Sequence, residues 1–333
     1  MNFKGVQMRA SVFQVLGAMA AALLLASCGG GQQVEKFAPT RVLAFGDENS
    51  LIVDDKVDAN GYKYTVNFKA DASAQRDCIK NPIWVQVLAG GYGLVFPQCN
   101  PTHVATTSQI LAVANTTSGD VKRQVDEFVK TGSFGGKDLV TVMAGSNDIL
   151  AQYALIDSGA KTEAQATADL EQAGTDLAGQ VNRIAQAGGK VLITTVQDMG
   201  LTAFAATEKA AHSDYDRAAL LTRLTQAFNT LPAKAAGGLR INLINDGHMI
   251  GLLLHDEQIQ SIAASGWIID KGACAVPLTT CDTFTPISDS RVTAPATPTS
   301  VSSWLWADAT HMSFGAHATL GSLALTRATN NPF

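Results

Sequence analysis

The sequence predicts an α/β fold in which a parallel sheet lies between two layers of helices. Short apolar runs alternate along the chain with longer segments that repeat apolar residues at helical spacing. Right-handed crossovers between parallel strands would then place helices on both faces of the sheet. With 333 residues, 46% of them hydrophobic, the chain can bury a substantial core. Neither an internal repeat nor a second core signature is present, so we expect a single domain over residues 40–333.

The expected strands are short apolar runs that end at turn-forming residues. The first is stopped by Gly-Asp, and the clearest central strand is followed by Gly-Ser-Asn-Asp. The strands are predicted at 41–45, 110–114, 138–144, 190–196 and 240–244.

The expected helices repeat apolar residues every three or four positions. Thr162, with Gln165 three residues later, forms a capping box that predicts the start of a long helix. The pair Gly188-Gly189 predicts its end. Other helices are predicted within 82–94, 121–129, 215–231 and 312–329.

Two segments lack a regular pattern. Residues 50–80 are polar and irregular, which indicates an insertion between the first strand and the first helix. Residues 272–303 are rich in Pro, Thr and Ser. The second segment is either a surface loop or a lid that contacts substrate, because long loops in compact domains are often functional.

The N-terminus has the pattern of an export signal. Two basic residues precede an apolar stretch at 12–25, which is too short for a comfortable membrane span. The stretch ends in Leu-Ala-Ser-Cys28, which resembles a bacterial lipoprotein box. We therefore expect residues 1–27 to be a signal peptide, Cys28 to be lipidated, and residues 28–39 to form a flexible tether. The protein would be an exported lipoprotein at the outer membrane or periplasmic face; an ordinary signal peptide is the alternative.

Charge and cysteine content narrow the classes of partner. A net charge of −5 argues against a broad nucleic-acid surface. With Cys28 lipidated, four cysteines remain in an oxidising compartment, which favours disulfides. Three pairings are possible, and we favour Cys78–Cys99 and Cys274–Cys281 because each closes a short loop. A metal site is the rival interpretation, but no Cys-x-x-Cys spacing supports it. We expect no metal, no cofactor and a monomer.

Four short motifs carry candidate chemistry. Glu48 follows Phe45-Gly46-Asp47, a second motif covers 115–119, a third contains Asn147, and the last is Asp308-Ala-Thr-His311. The first three each follow an expected strand. Because the carboxyl ends of parallel strands meet at one edge of a sheet, these distant segments are expected to converge there.

The motifs, in this order, resemble those of the SGNH or GDSL hydrolase family of esterases and lipases. The resemblance covers roughly residues 41–330 and implies a flavodoxin-like, three-layer fold. It also implies that His311 takes a proton, that Asp308 orients it, and that Gly119 and Asn147 hold the oxyanion. The second motif matches least well. The structural alternatives are helix capping for Asp308 and His311, and turn formation for Asn147.

The position of the family's nucleophilic serine is occupied by Glu48, which leaves four interpretations open. The carboxylate could fill the oxyanion hole and silence the site, attack the substrate itself, or activate water together with His311. Ser50 could instead serve as a fallback nucleophile. We therefore expect a membrane-anchored hydrolase of a small ester or an acylated glycan. A non-catalytic binding or scaffold lipoprotein of the same fold is the alternative.

Overall fold

A five-stranded parallel sheet forms the centre of the molecule. The computed structural model describes residues 36–56, 58–229, 238–243, 249–285 and 303–330, and structural statements below concern these. The expected signal peptide, Cys28 and most of the tether lie outside the described residues, as does much of the 272–303 segment. Contacts group residues Phe37–Phe333 into one compact unit.

The described strands are β1 (Arg41–Gly46), β2 (Ile52–Val53), β3 (Tyr62–Lys63), β4 (Phe68–Lys69), β5 (Arg76–Asp77), β6 (Gln109–Ile110), β7 (Asp138–Met143), β8 (Lys190–Thr194), β9 (Ile250–Leu253), β10 (Ile268–Gly272) and β11 (Trp304–Trp306). The described helices are α1 (Trp84–Gly91), α2 (Ser118–Thr131), α3 (Ser146–Asp157), α4 (Glu163–Gln186), α5 (Ala203–Ala211), α6 (Arg217–Asn229), α7 (Leu239–Asn242), α8 (His255–Ala264) and α9 (Phe314–Asn330).

The central sheet has the order β6-β1-β7-β8-β9, and its strands run parallel. In chain order this is 2-1-3-4-5, the flavodoxin-like arrangement. The chain leaves β1 to one side for β6 and then crosses to the other side for β7. Ligand sites in such sheets lie where the strand order reverses, beyond the carboxyl ends of the strands. The predicted fold class is confirmed.

Two apolar layers cover the sheet because neighbouring strand residues point to opposite faces. Leu43 and Phe45 of β1 pack into one core with α2, α4 and α6. Val42 and Ala44 pack into the other core with α1, α8 and α9. The long helix begins at the expected place: Thr162 accepts a hydrogen bond from the backbone N–H of Gln165, in the predicted capping box.

The fifth strand differs from the sequence prediction. We expected a strand at 240–244, but Leu239–Asn242 is a single helical turn and Ile250–Leu253 supplies the strand. Leu239 is fully buried, and a Cβ on Gly174 would lie 2.7 Å from its backbone nitrogen. This close packing on the long helix holds Leu239–Asn242 outside the sheet. The strand expected at 110–114 is also shorter, with two residues at Gln109–Ile110.

The insertion at 50–80 consists of short two-stranded pieces, β2 with β3 and β4 with β5. Both favoured disulfides are present: Cα–Cα distances are 5.7 Å for Cys78–Cys99 and 5.8 Å for Cys274–Cys281. The first ties the insertion to the segment after α1. The second closes a loop that contacts the insertion, because Asn67 donates its backbone N–H to the carbonyl of Cys281.

None of the helices in the described ranges is both long enough and apolar enough to cross a bilayer.

Candidate active site

The turn that follows β1 positions Glu48. Gly46 has a φ of +120°, and a Cβ there would lie 1.8 Å from the carbonyl oxygen of Met143, so a side chain has no room. Asp47 donates its backbone N–H to the same carbonyl at 2.9 Å and caps the short turn Glu48–Ser50. Glu48 is consequently held at the carboxyl end of β1, with 7% of its surface exposed.

Three ionisable side chains form a continuous hydrogen-bonded row at this edge of the sheet. Both carboxylate oxygens of Asp308 lie 2.9 Å from Nδ1 of His311. The other ring nitrogen, Nε2, lies 3.1 Å from Oε1 of Glu48. The exposed fraction is 8% for the Glu48 side chain and 18% for that of His311, so the imidazole is the more accessible of the two. Residues 263 positions apart therefore meet, as the sequence predicts for Glu48, Asp308 and His311.

Backbone and amide donors surround the second oxygen of Glu48. The backbone N–H of Asn115, a residue at φ +59°, donates to Oε2 at 2.7 Å. Nδ2 of Asn147 lies 3.5 Å from both carboxylate oxygens and donates to the carbonyl of Thr116 at 3.0 Å. Asn147 thus stands at the site, as expected for an oxyanion donor, although Glu48 is its present neighbour.

Gly119 is not among the groups that hydrogen-bond to Glu48. It lies in the first turn of α2 and gives Glu48 no hydrogen bond; the backbone donor to the carboxylate is Asn115. Gly119 instead lines a cavity between α2 and α4, together with Lys122 and Gln180. The helix begins at Ser118 because Asp148 accepts both its N–H and its hydroxyl, at 2.8 and 2.7 Å, and this sets where Gly119 lies.

The row sets the protonation states of its members. Burial opposes a charged His311, but hydrogen bonds and charge from Asp308 and Glu48 outweigh it and raise the imidazole pKa to about 10. Burial also opposes an ionised Glu48, yet the hydrogen bonds from His311 and backbone N–H groups lower the pKa of that carboxyl. Burial opposes an ionised Asp308 as well, but the hydrogen bonds and the charge of His311 lower the pKa of that carboxyl. At neutral pH the row is a carboxylate, an imidazolium and a second carboxylate.

Asp47, next to the row, behaves in the opposite way. It is fully buried, and burial followed by repulsion from Glu48 raises its pKa to about 8. One of its oxygens, Oδ1, accepts hydrogen bonds from the backbone and side chain of Asn49. Asp47 is therefore a neutral acid that shapes the turn and adds no second negative charge beside Glu48.

Ser50 does not support the fallback role. It is fully buried, and its hydroxyl accepts a hydrogen bond from the indole N–H of Trp84 at 3.1 Å. No hydrogen bond joins it to His311, whose Nε2 faces Glu48. Ser50 links the turn to α1 and is not placed to attack a substrate.

Two contributors at the site escaped the sequence analysis. The ring centroids of Tyr64 and the His311 imidazole lie 5.8 Å apart, with an interplanar angle of 33°. Gln124 accepts from the N–H of Gly46 and donates to its carbonyl, at 2.8 and 2.9 Å, which fixes the end of β1. The alternation of polar and aromatic residues at 62–65 was a weak strand signal for Tyr64. The role of Gln124 had no local signal.

Other titratable groups in the described ranges do not form a metal site; no group of three or more His, Cys, Asp or Glu side chains there could hold an ion. His255 and His317 are fully buried in the layer beneath the site. Burial lowers the pKa of His255 to about 4 and that of His317 well below its usual value. Both are neutral residues of the core.

Comparison with solved structures finds proteins with low sequence identity. A lipolytic protein of the G-D-S-L family from Veillonella parvula is 9% identical, with a TM-score of 0.39 and coverage of 86% of this chain and 96% of that one. An acetylxylan esterase from Geobacillus stearothermophilus is 11% identical, with a TM-score of 0.41 and coverage of 88% and 95%. A phospholipase A1 from Streptomyces albidoflavus is 14% identical, with a TM-score of 0.43 and coverage of 88% and 100%. No curated protein matches the sequence.

The sequence matches a family model over most of its length. The matching family is the GDSL-like lipase/acylhydrolase family, and the match spans residues 44–323. That range contains Glu48, Asn147, Asp308 and His311. The chain belongs to the GDSL-like lipase/acylhydrolase family, whose members are hydrolases of carboxylic esters.

Proposed function

We propose that this protein hydrolyses a small carboxylic ester, or an acylated glycan, with Glu48 as the reacting carboxylate. The observation that carries the proposal is the row Asp308–His311–Glu48, whose links measure 2.9 and 3.1 Å. It ends at the switch point of the sheet, where ligands of such folds bind. Family membership supplies the reaction class, and the row supplies the residues.

The protonation states assign the roles. A histidine with a pKa of about 10 holds its proton at neutral pH, so it cannot take one from an attacking hydroxyl or water. Glu48 is ionised and needs no base. We therefore assign attack to the Glu48 carboxylate and proton donation to His311, with Asp308 holding the imidazole from its other side.

The first half of the reaction forms a mixed anhydride. Oε1 of Glu48 bonds to the acyl carbon, and the carbonyl electron pair moves to oxygen. Collapse of this intermediate breaks the ester C–O bond, and the leaving oxygen takes the proton from Nε2 of His311. The alcohol departs, the acyl group stays on Glu48, and His311 is left neutral.

The second half regenerates the site. Water attacks the side-chain carbonyl carbon of Glu48 in the anhydride while neutral His311 accepts one of its protons. Collapse breaks the bond between that carbon and the bridging oxygen, so the oxygen from water stays on Glu48 and the bridging oxygen leaves with the acyl group. The products are the free carboxylic acid, an ionised Glu48 and a protonated His311, as at the start. Because a low-pKa carboxylate is a weak nucleophile, esters with good leaving groups should react fastest.

Turnover of p-nitrophenyl esters by the purified domain tests the proposal. Glu48→Gln keeps the shape and removes the charge, and we expect at least ~10³-fold lower kcat, as for the loss of a nucleophile. The matched control is Glu127→Gln, an exposed position. Single turnover in H₂¹⁸O should place ¹⁸O in the Glu48 side chain, which mass spectrometry of the peptide detects. Label in the product alone would mean that Glu48 activates water. Unchanged turnover in Glu48→Gln would refute both.

A second candidate, a binding or scaffold protein without turnover, is favoured by a separate observation. The Glu48 carboxylate accepts the N–H of Asn115 at 2.7 Å and faces the amide of Asn147, so donors near the carbonyl position are occupied. Glu48→Ser decides between the candidates. If the native protein is inactive and the serine variant hydrolyses esters, the native protein is a silenced hydrolase that binds its ligand.

We further propose that the protein is an exported lipoprotein, anchored through Cys28 as a monomer, at the outer membrane or periplasmic face. The lipobox-like sequence supports this. Full-length protein expressed in a bacterium should incorporate an alkyne palmitate and fractionate with membranes, and Cys28→Ser should do neither. Label retained in Cys28→Ser would exclude the anchor. Light scattering of the soluble domain tests the monomer.

A further inference from the structure

The phenol of Tyr64 is an uncommitted donor beside His311. Its ring lies 5.8 Å from the His311 imidazole. Tyr64 is half-buried, and its hydroxyl has no hydrogen-bond partner within the described part of the chain. Burial, Tyr62 and the charge of Glu48 raise the pKa of Tyr64, so the phenol remains protonated at neutral pH. It can therefore donate a hydrogen bond.

Neighbouring residues of Tyr64 fix its position. Lys63 and Thr65 are both fully buried. Because side chains alternate along an extended segment, Tyr64 between them points to the opposite side. Lys63 Nζ donates to three backbone carbonyls, those of Cys78, Lys80 and Asn81, at 2.8 to 2.9 Å.

A hydrogen bond also joins the segment 63–65 to the loop that carries His311. Thr65 donates its hydroxyl to the carbonyl of Met312, the residue after His311, at 3.0 Å. The Tyr64 ring is thus held against the imidazole by bonds on both sides of it.

The reaction proposed above needs such a donor. Negative charge develops on the carbonyl oxygen as Glu48 attacks, and a preorganised hydrogen bond to that oxygen lowers the barrier. The Asn115 N–H is committed to Glu48 at 2.7 Å. Asn147 donates to the carbonyl of Thr116 at 3.0 Å and lies 3.5 Å from both carboxylate oxygens, and Gly119 gives Glu48 no hydrogen bond. Both Asn115 and Asn147 therefore face the Glu48 carboxylate, and the substrate's carbonyl oxygen needs a further donor.

We propose that Tyr64 is a catalytic residue: its hydroxyl donates a hydrogen bond to the carbonyl oxygen of the ester as Glu48 attacks. This inference rests on the proposed function. It assigns an oxyanion donor to the insertion at 50–80. His311 remains the acid for the leaving oxygen, so the two groups serve different oxygens of the substrate.

Tyr64→Phe is the test, because it keeps the ring beside His311 and removes the hydroxyl. We expect kcat on a p-nitrophenyl ester to fall ~10²-fold, as for the loss of one oxyanion donor, with KM changed less than about twofold. Tyr62→Phe is the matched control. It lies two residues away with its ring 6.2 Å from that of Tyr64, packed under the Arg76 guanidinium, and should keep the native kcat. Unchanged kcat in Tyr64→Phe, or an equal fall in Tyr62→Phe, would overturn the assignment.

A binding measurement separates this inference from the proposed function. A trifluoromethyl ketone, whose hydrate mimics the tetrahedral intermediate, should bind Tyr64→Phe ~10²-fold more weakly than native protein by calorimetry. The corresponding methyl ketone should bind both equally. If the native protein hydrolyses nothing but shows this difference, the proposed function fails and the Tyr64 donor stands. If neither ketone distinguishes the two proteins, the Tyr64 assignment is wrong, whatever the turnover.

Discussion

Two histidines six residues apart, His311 in the loop after β11 and His317 in α9, have opposite charge states. Both are largely or fully buried, and burial lowers the imidazole pKa in each. His311 has a carboxylate on either side and a pKa of about 10. Nδ1 of His317 accepts a hydrogen bond from the backbone N–H of Trp84 at 3.4 Å. Positive charge from His255, Lys63 and His311 lowers the pKa of His317 further. The partners of an imidazole, and not its depth, decide its charge here.

The largest expected effect comes from removing the carboxylates that distinguish His311. In the double variant Glu48→Gln/Asp308→Asn, burial acts alone, and the pKa of His311 should fall from about 10 to below 6.5. Proton NMR titration of the ring resonances measures this. His317→Gln in the same background identifies the signals. A His311 pKa that stays above 8 would show that other groups hold the proton.

The pH dependence of turnover should follow from the same charges. If His311 acts as an acid with a pKa of about 10, kcat should be flat through neutral pH and fall tenfold per unit above about 10. The rate of Glu48→Ser should instead rise with pH, since a serine mechanism needs a neutral imidazole. A native profile that rises between pH 6 and 8 would indicate that His311 works as a base.

Stability should depend on pH in opposite senses for the two histidines. The folded pKa of His311 is raised, so its contribution is complete below pH 6.5 and is lost as pH rises toward 10, at up to about 1.4 kcal/mol per pH unit. The folded pKa of His317 is lowered, so its contribution is present above pH 6.5 and is lost as pH falls. Urea denaturation of His311→Gln and His317→Gln should each remove one of these slopes.

The smallest expected effect concerns Ser50. Its hydroxyl accepts from Trp84 and takes no part in the row, so Ser50→Ala should cost about 1 kcal/mol of unfolding free energy. The value of kcat should stay within about twofold of native. Urea denaturation and the p-nitrophenyl assay measure the two quantities. Loss of turnover with normal stability would restore Ser50 as a nucleophile.

Much of the site was predictable because local chemistry marks it. Glycine, Asp and Asn follow apolar runs, so the ends of β1 and β7 were recognisable, and the parallel order implied that they meet. Asp308 and His311 came with the motif. The long helix was visible because Thr162 and Gln165 form a capping box.

The remaining features depend on tertiary packing. The segment at 240–244 has an apolar alternation that suits a strand, but the close approach of Leu239 to Gly174 accompanies a helical turn at Leu239–Asn242. Tyr64 reaches His311 through an insertion whose course is set by Lys63 and by bonds to distant carbonyls. Gly119 was assigned from the motif, whereas the hydrogen bonds that Ser118 donates to Asp148 decide where α2 begins. None of these contacts is encoded by spacing along the chain.

Gly46 fixes the main chain at position 48 whatever side chain stands there. The contact of Gly46 with Met143 and its two hydrogen bonds with Gln124 fix the main chain after β1. Neither contact involves the side chain at position 48. Replacing that residue by Ser, Cys or Asp would therefore change the side chain beside His311 and leave the main chain as it is. The protein offers a scaffold on which the intrinsic reactivity of several nucleophiles can be compared with the same imidazole partner.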